Sequence, residues 1–300
     1  MAEKKIVVVG SSNTDMTIKG GKLPAPGETV TGGLFYMGPG GKGANQAVAA
    51  KRLGADVIFI CKVGSDLFGD NAIAGYKREG IDTSKILRSS KASGTALILV
   101  DAGGENCISV APGANCDLSV EDIDSIAPVI RKADILLLQL EIPMPSVVKA
   151  ARIANEAGAY VILNPAPACE LPPELLKNVS LIIPNQTETA LLSGVSCLDE
   201  EGLIDAVAKI RAMGVADVVV TLGSKGSMVF SGDKIDRIPA EIVQAVDTTA
   251  AGDTFCGAIA VGLSEDMSLP EAAAFATKAS AITVQRIGAQ NSIPYRKDLI

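Results

Sequence analysis

Short apolar runs alternate with helix-like segments along most of this chain, and that alternation restricts the fold more than any other feature of the sequence. Residues 6–9 read as a buried strand ending at Gly10, and residues 44–53 as a helix stopped by Gly54. Further strands are expected over 57–61, 135–140, 160–163, 181–183 and 217–221. Helices are expected over 68–78, from a Ser119/Asp122 capping pair to about Lys132, and over 145–157, 188–193 and 203–213. A hairpin around Gly232-Asp233 and two helices, 252–263 and 270–285, complete the pattern. The sequence therefore predicts an α/β fold with a central, mostly parallel sheet and helices on both faces. Two stretches break the alternation, 14–37 and 93–110, where strands and turns follow one another without a helix. Residues 94–100 with Asp101-Ala102-Gly103-Gly104 read as a hairpin. These stretches predict a small β lid, formed by about 14–40 and 93–112, on a single domain spanning 1–300.

Composition narrows the function classes. Hydrophobic residues make up 48% of the 300 and charged residues 20%, which suffices for a large core. The apolar runs are far too short to span a bilayer, so no membrane partner is expected. Met1 to Lys5 lead directly into the first strand without a signal-peptide segment, and a cytoplasmic protein is the plain expectation. Net charge is −7 with no basic block, which argues against nucleic acid. The chain has no histidine, which removes every Ser-His and Cys-His mechanism and leaves acid–base work to Asp, Glu, Lys, Tyr or Cys. Its six cysteines form no CxxC pair; they are read as packing thiols rather than zinc ligands or disulfides.

Three segments carry candidate chemistry. Gly38-Pro39-Gly40-Gly41-Lys42-Gly43 satisfies GxGxxG, but the acid a dinucleotide site needs is misplaced: Asp56 precedes the following strand instead of ending it. Nor is it a Walker A loop, since Gly43 follows Lys42 where Ser or Thr is required. The alternatives are a loop that carries Lys42 and Asn45 into a cavity and a glycine-rich turn with a solvated lysine. Asp247-Thr248-Thr249-Ala250-Ala251-Gly252-Asp253 opens a small-residue helix whose free N–H groups suit an anion. Asp253 there is either a helix cap or a general base beside an anion hole. Asn185 and Glu188 form either a capping box or a polar pair organising Mg²⁺ and phosphate, and the turn Thr221 to Gly226 suits a nucleotide laid over strand ends.

Taken together, these segments resemble the ribokinase-like PfkB family of sugar kinases. The resemblance rests on Asn13-Thr14-Asp15, Pro26-Gly27-Glu28-Thr29, the run from Gly40 to Ala47, Asn164-Pro165-Ala166-Pro167-Ala168, Pro184 to Glu188 and Val246 to Phe255, in that order. It implies ATP-dependent phosphorylation of a sugar, D-ribose first, with Asp253 as base and the backbone of Ala250, Ala251, Gly252 and Asp253 as anion hole. It implies a sugar site of Asn13, Asp15, Gly41, Lys42, Asn45, Glu141 and Asp253. The implied nucleotide site is Asn185, Glu188, Thr221, Gly223, Ser224, Lys225, Gly226, Gly252 and Thr277, with Mg²⁺ near Glu188. Thr277 departs from the family, where relatives often carry Asn or His. A monovalent cation, K⁺, is implied at Asp247, Thr249, Thr283, Arg286, Gly288 and Ser292, and a homodimer through the lid. The alternatives are a kinase for 2-deoxyribose or another sugar or nucleoside, and a catalytically silent sugar- or nucleotide-binding protein. Few aromatics, 3% with no Trp, count against stacking a nucleoside base at the acceptor site. The absence of an Arg cluster near these motifs counts against a sugar phosphate.

Overall fold

The structure is a computed structural model and describes residues 4–299. Met1 to Glu3, which belong to the N-terminal reading above, and Ile300 lie outside the described residues. β1 (Lys5–Val9), β2 (Asn13–Lys19) and β3 (Leu34–Gly40) precede α1 (Lys42–Arg52), and β4 (Asp56–Ile60) and β5 (Lys62–Gly64) precede α2 (Leu67–Arg78). β6 (Leu87–Ser89), β7 (Gly94–Val100) and β8 (Asn106–Ala111) lead to α3 (Val120–Ile130), β9 (Ile135–Leu138), α4 (Met144–Glu156) and β10 (Tyr160–Leu163). Then come α5 (Pro173–Leu176), β11 (Leu181–Ile182), α6 (Gln186–Ser193), α7 (Glu200–Ala212) and β12 (Asp217–Thr221). The hairpin β13 (Ser227–Ser231) and β14 (Lys234–Ile238) is followed by α8 (Ala251–Ser264) and α9 (Leu269–Thr283).

The main sheet has eight strands in the order β14-β13-β12-β11-β10-β9-β1-β4. From β12 to β4 all neighbours run parallel, and the hairpin adds two antiparallel strands at one edge. Strand side chains alternate between two cores, as a sheet covered on both faces requires. Ile6 and Val8 of β1 belong to one core with Ala47, Ile259 and Ala276, and Val7 and Val9 to the other with Ile123, Val147 and Leu203. β2, β3, β7 and β8 form a separate sheet, ordered β3-β2-β7-β8. Its central pair β2·β7 is parallel and its outer pairs are antiparallel.

Some expectations need correction. β5 and β6 form a parallel pair of three residues each, and α5 is a single turn; all three are too short to show a period in sequence. α6 begins at Gln186 rather than at 188, because Asn185 and Glu188 close a capping box around that start. Only Cys61, Cys197 and Cys256 are buried; Cys107, Cys116 and Cys169 are exposed, so half of the thiols do not pack in the interior. All six are free. Small residues set one helix contact that matters below. A Cβ on Gly257 of α8 would lie 2.7 Å from the Ala49 Cβ of α1, so these helices meet closely, and α1 side chains reach the start of α8.

Candidate active site

The parallel strands end on one side of the sheet, and polar residues follow each apolar run there. Gln139 and Glu141 follow β9, Asn164 follows β10, Asn185 follows β11, and Thr221 closes β12. Ligands of open α/β sheets bind at this edge. α8 begins beside it with no side-chain cap. Its N-cap, Ala250, sits at φ 61° in the left-handed region, which costs a non-glycine residue about 1–2 kcal/mol. The N–H groups of Gly252 and Asp253 find no acceptor among the described residues. Asp253 does not cap the helix: its Oδ2 accepts from Asn45 Nδ2 at 2.9 Å and its Oδ1 from Gln46 Nε2 at 3.1 Å. The carboxylate is 7% exposed and is held by amides beside vacant backbone donors. That arrangement fits a base next to an anion hole and does not fit a cap.

Asn13 and Asp15 lie on β2 of the small sheet and face this point. Asn13 Oδ1 accepts from Asn115 Nδ2 at 2.7 Å, and Gly94 leaves the room, since a Cβ there would lie 2.2 Å from that oxygen. Gly40 makes room for the Asp15 carboxylate in the same way, with a Cβ 2.1 Å from its Oδ2. Gly41 adopts φ 90° where the chain turns tightly over Ser12 and Asn13, a conformation open to glycine. Glu141 Oε2 accepts from Ser11 Oγ at 2.6 Å and from the Lys42 N–H at 3.0 Å. Asn45 Oδ1 is buried without a partner, which a ligand hydroxyl can supply.

Burial, then the charges of Glu141 and Asp253, push the Asp15 carboxyl up to about 6. Burial alone would lower the Lys42 ammonium, but Asp253, Glu141 and Glu188 overcome it and hold the pKa above its ordinary value, so the group stays charged. Glu188 is raised by burial first, with the Asn185 N–H and Lys42 opposing and Asp253 adding. The shift at Asp15 carries a stability cost with a definite sign. The folded state holds this proton more tightly than the unfolded chain, so stability falls as pH rises from about 4 to 6, and the cost is full above that window. Asp15→Asn is therefore expected to stabilise the protein by about 1–3 kcal/mol at pH 8, with the gain gone near pH 3. Urea midpoints at the two pH values measure it, and an equal gain at both would contradict the assignment.

Two cavities adjoin along the strand ends. One, of about 240 Å³, is lined by Lys42, Asn164, Asn185, Glu188, Asp253 and neighbouring residues. The other, of about 310 Å³, is walled by Gly223, Ser224, Gly226 and Thr277 together with Val243, Ala245, Phe255, Ala281 and Val284. Thr221, Thr248 and Gly252 belong to both, so the pair forms one trough from an apolar end to the Asp253 carboxylate. The Thr277 hydroxyl donates to the Ala273 carbonyl at 2.9 Å, which leaves a largely apolar wall there. Lys225 is exposed on its turn and lines neither cavity.

Beside α8 the segments around 247 and 288 are stitched together. The N–H groups of Val246 and Asp247 donate to the Val284 carbonyl, and Asp247 accepts from Thr249 N on Oδ1 and from Gly288 N on Oδ2, both at 2.9 Å. Burial raises the Asp247 carboxyl, but the hydrogen bonds from Thr249 and Gly288 hold it below its ordinary value. Ser292 lies buried in the same segment and donates to the Ala289 carbonyl. The Thr283 hydroxyl is engaged with Thr254 and the Ala279 carbonyl, and the Arg286 guanidinium turns to Asp298.

Sequence reasoning missed the amides Gln46, Gln139 and Asn164 as a group, and the wall residues of the larger cavity. A signal existed for both. Gln139 and Asn164 each follow a four-residue apolar strand, and Thr277 and Ala281 recur at helical spacing on α9, with Val284 capping its end.

The chain matches the model of the pfkB family carbohydrate kinases over residues 3–296. It is 44% identical over 298 residues to a ribokinase of Haemophilus influenzae, covering 99% of this chain and 97% of that one. It is 42% identical over 300 residues to a bifunctional ribokinase/ribose-5-phosphate isomerase A of Fructilactobacillus sanfranciscensis, of whose length it spans 56%. Among solved structures it resembles Arabidopsis thaliana ribokinase complexed with ribose and ATP, with TM-score 0.91, 35% identity, and coverage of 100% of this chain and 98% of that one. Family model, relatives and fold agree over nearly the whole length, and the chain belongs to the pfkB family of carbohydrate kinases.

Proposed function

We propose that this sugar kinase transfers the γ-phosphoryl group of ATP to the 5-hydroxyl of D-ribose, giving ribose 5-phosphate and ADP. The observation that carries the reading is Asp253 held by Asn45 and Gln46 beside the vacant N–H groups at the start of α8. Asp253 takes the proton of the attacking hydroxyl. The new O–P bond forms as the bond to the bridging oxygen of ADP breaks, and the N–H groups with Lys42 balance the charge on the transferring group. The trough suits ATP, with its apolar end for the base and its Lys42 end for the phosphates. The acceptors of Asn13, Asp15, Asn45 and Glu141 suit a neutral polyol, and ribokinase relatives at this identity support ribose.

Mg²⁺ fits as a companion of the ATP phosphates. Among the described residues no cluster of three acidic, Cys or His side chains makes a cage of its own, and Mg²⁺ commonly takes one or two carboxylates plus substrate oxygens. One oxygen of Glu188 is bound by the Asn185 N–H, and the other is left for a water of the ion. The donors around Asp247, Thr249, Gly288 and Ser292 are all oxygens with one carboxylate, which fits a weakly charged cation such as K⁺. Thr283 and Arg286 would contribute carbonyls alone, their side chains being engaged elsewhere. Such a cation would supply a fixed positive charge near the start of α8.

The small sheet is read as a lid and as the dimer interface of one domain. On the face opposite Asp15, Met16, Ile18, Phe35, Met37, Leu97, Leu99 and Cys107 are aligned by the strand register. Phe35, Met37 and Leu97 are more than half exposed, an unusual apolar patch for a lone chain. Phe35→Asp is expected to convert a dimer to a monomer in sedimentation; a wild-type protein that is already monomeric removes the interface.

The test of substrate is kcat/KM with ATP, Mg²⁺ and K⁺ across D-ribose, 2-deoxyribose, fructose and adenosine. Preference for ribose is expected. Preference for another acceptor keeps the chemistry and changes the substrate, and no turnover with any of them favours a silent binding protein.

A further inference from the structure

The Asp253 carboxylate is one end of a buried chain of amides that the reaction, as written above, does not use. The other end is the Ile183 carbonyl after β11, which accepts from Asn164 Nδ2 at 3.0 Å. A carbonyl only accepts, so Asn164 must turn its own oxygen the other way, toward Gln46. Gln46 Nε2 donates to that oxygen at 3.1 Å and to Asp253 Oδ1 at 3.1 Å, spending both of its hydrogens. Its Oε1 accepts from Gln139 Nε2 at 2.6 Å. While Asp253 is ionised both ends of the chain only accept, so no amide in it can flip without leaving oxygens face to face. Gln46 and Gln139 are wholly buried and Asn164 is 8% exposed, so water does not relax the chain.

We propose that Gln46 is a positioning residue for the base: the chain Ile183–Asn164–Gln46, locked by Gln139, fixes the donor on Asp253 Oδ1, opposite the Asn45 donor on Oδ2, and so keeps the carboxylate aimed. Three strand ends thereby set the orientation of one side chain on a helix. Gln46 is wholly buried and lines neither cavity. The inference rests on Asp253 being the base.

The experiment compares Gln46→Met, which keeps the shape and removes the donor, with Gln46→Glu and with Asp253→Ala, using steady-state kinetics from pH 5 to 9. For Gln46→Met we expect kcat to fall about tenfold or more, with KM for ATP unchanged within twofold. The acidic limb of the kcat profile moves to higher pH, because a carboxylate that loses a donor holds its proton more tightly. Gln46→Glu, which sets an acid against Asp253, moves the limb further. A merely structural glutamine lowers the amount of folded enzyme and leaves the limb in place. Wild-type kcat and an unmoved limb in Gln46→Met overturn the proposal. Should that variant not fold, Gln139→Met is read in its place, with a smaller shift in the same direction expected and none overturning it. Near-full turnover in Asp253→Ala overturns the base itself, a failure distinct from that of Gln46.

Discussion

Asp253→Ala is expected to lower kcat by about 10²–10⁴-fold, the range for loss of a general base, while ATP affinity stays within a few-fold. Two features of the site separate these effects. Asp253 lines the smaller cavity with Lys42 and Glu188, but it is not part of the larger one that suits the nucleotide. Its oxygens meet Asn45 and Gln46, and with the carboxylate gone those amides lose an acceptor and the attacking hydroxyl loses its proton sink. The substitution also removes one of the charges that raise Asp15. Asp15 should then titrate below its wild-type value of about 6, a secondary readout independent of turnover. Isothermal titration with ATP and single-turnover kinetics measure the two expected results. A variant that keeps near-full turnover would leave Asp253 as a structural carboxylate.

The division of labour between sequence and tertiary structure can be followed residue by residue. The central sheet was legible because each strand is a short apolar run bounded by turn residues, and a strand covered on both faces must read that way. The small sheet was legible by contrast, as apolar stretches with no helix between them. Asp253 stood out because small residues precede it at a helix start. Its partners did not stand out. Gln139 and Asn164 are single polar residues after two separate strands, and nothing local tells that β9 and β10 are neighbours and deliver both to Gln46. Two readings of Asn185 and Glu188 stood side by side in the sequence, and the capping box that forms uses only half of each side chain. Lys42 and Asn45 share one face of α1, as their spacing requires. Lys42 reaches the smaller cavity beside Asp253 only by the packing of α1 on α8. The cavity wall from Ala240 to Ala245 had no periodicity to read, since a loop is shaped by what it packs against.

Gly252→Ala is expected to leave folding intact and to lower kcat/KM for ATP by about 10²-fold, the scale of losing one hydrogen-bond donor of an anion hole. A Cβ built on Gly252 meets no protein atom within 4 Å outside its own helix, and alanine favours a helix over glycine by about 1 kcal/mol. The protein by itself should therefore be as stable or slightly more so. The space that the methyl group would take belongs to both cavities, at the point where their walls join. It lies where the backbone N–H groups of Gly252 and Asp253 are open to a ligand. A phosphate drawn to those groups would be pushed away from them, weakening each charge-assisted hydrogen bond that it makes. Gly257→Ala, five residues along the same helix, provides the contrast. There the added Cβ would sit 2.7 Å from the Ala49 Cβ, so that variant should lose stability. Thermal midpoints and kcat/KM for the two variants measure opposite outcomes. Gly252→Ala with wild-type activity would mean that phosphate does not approach this turn, and the anion hole would have to lie elsewhere along the trough.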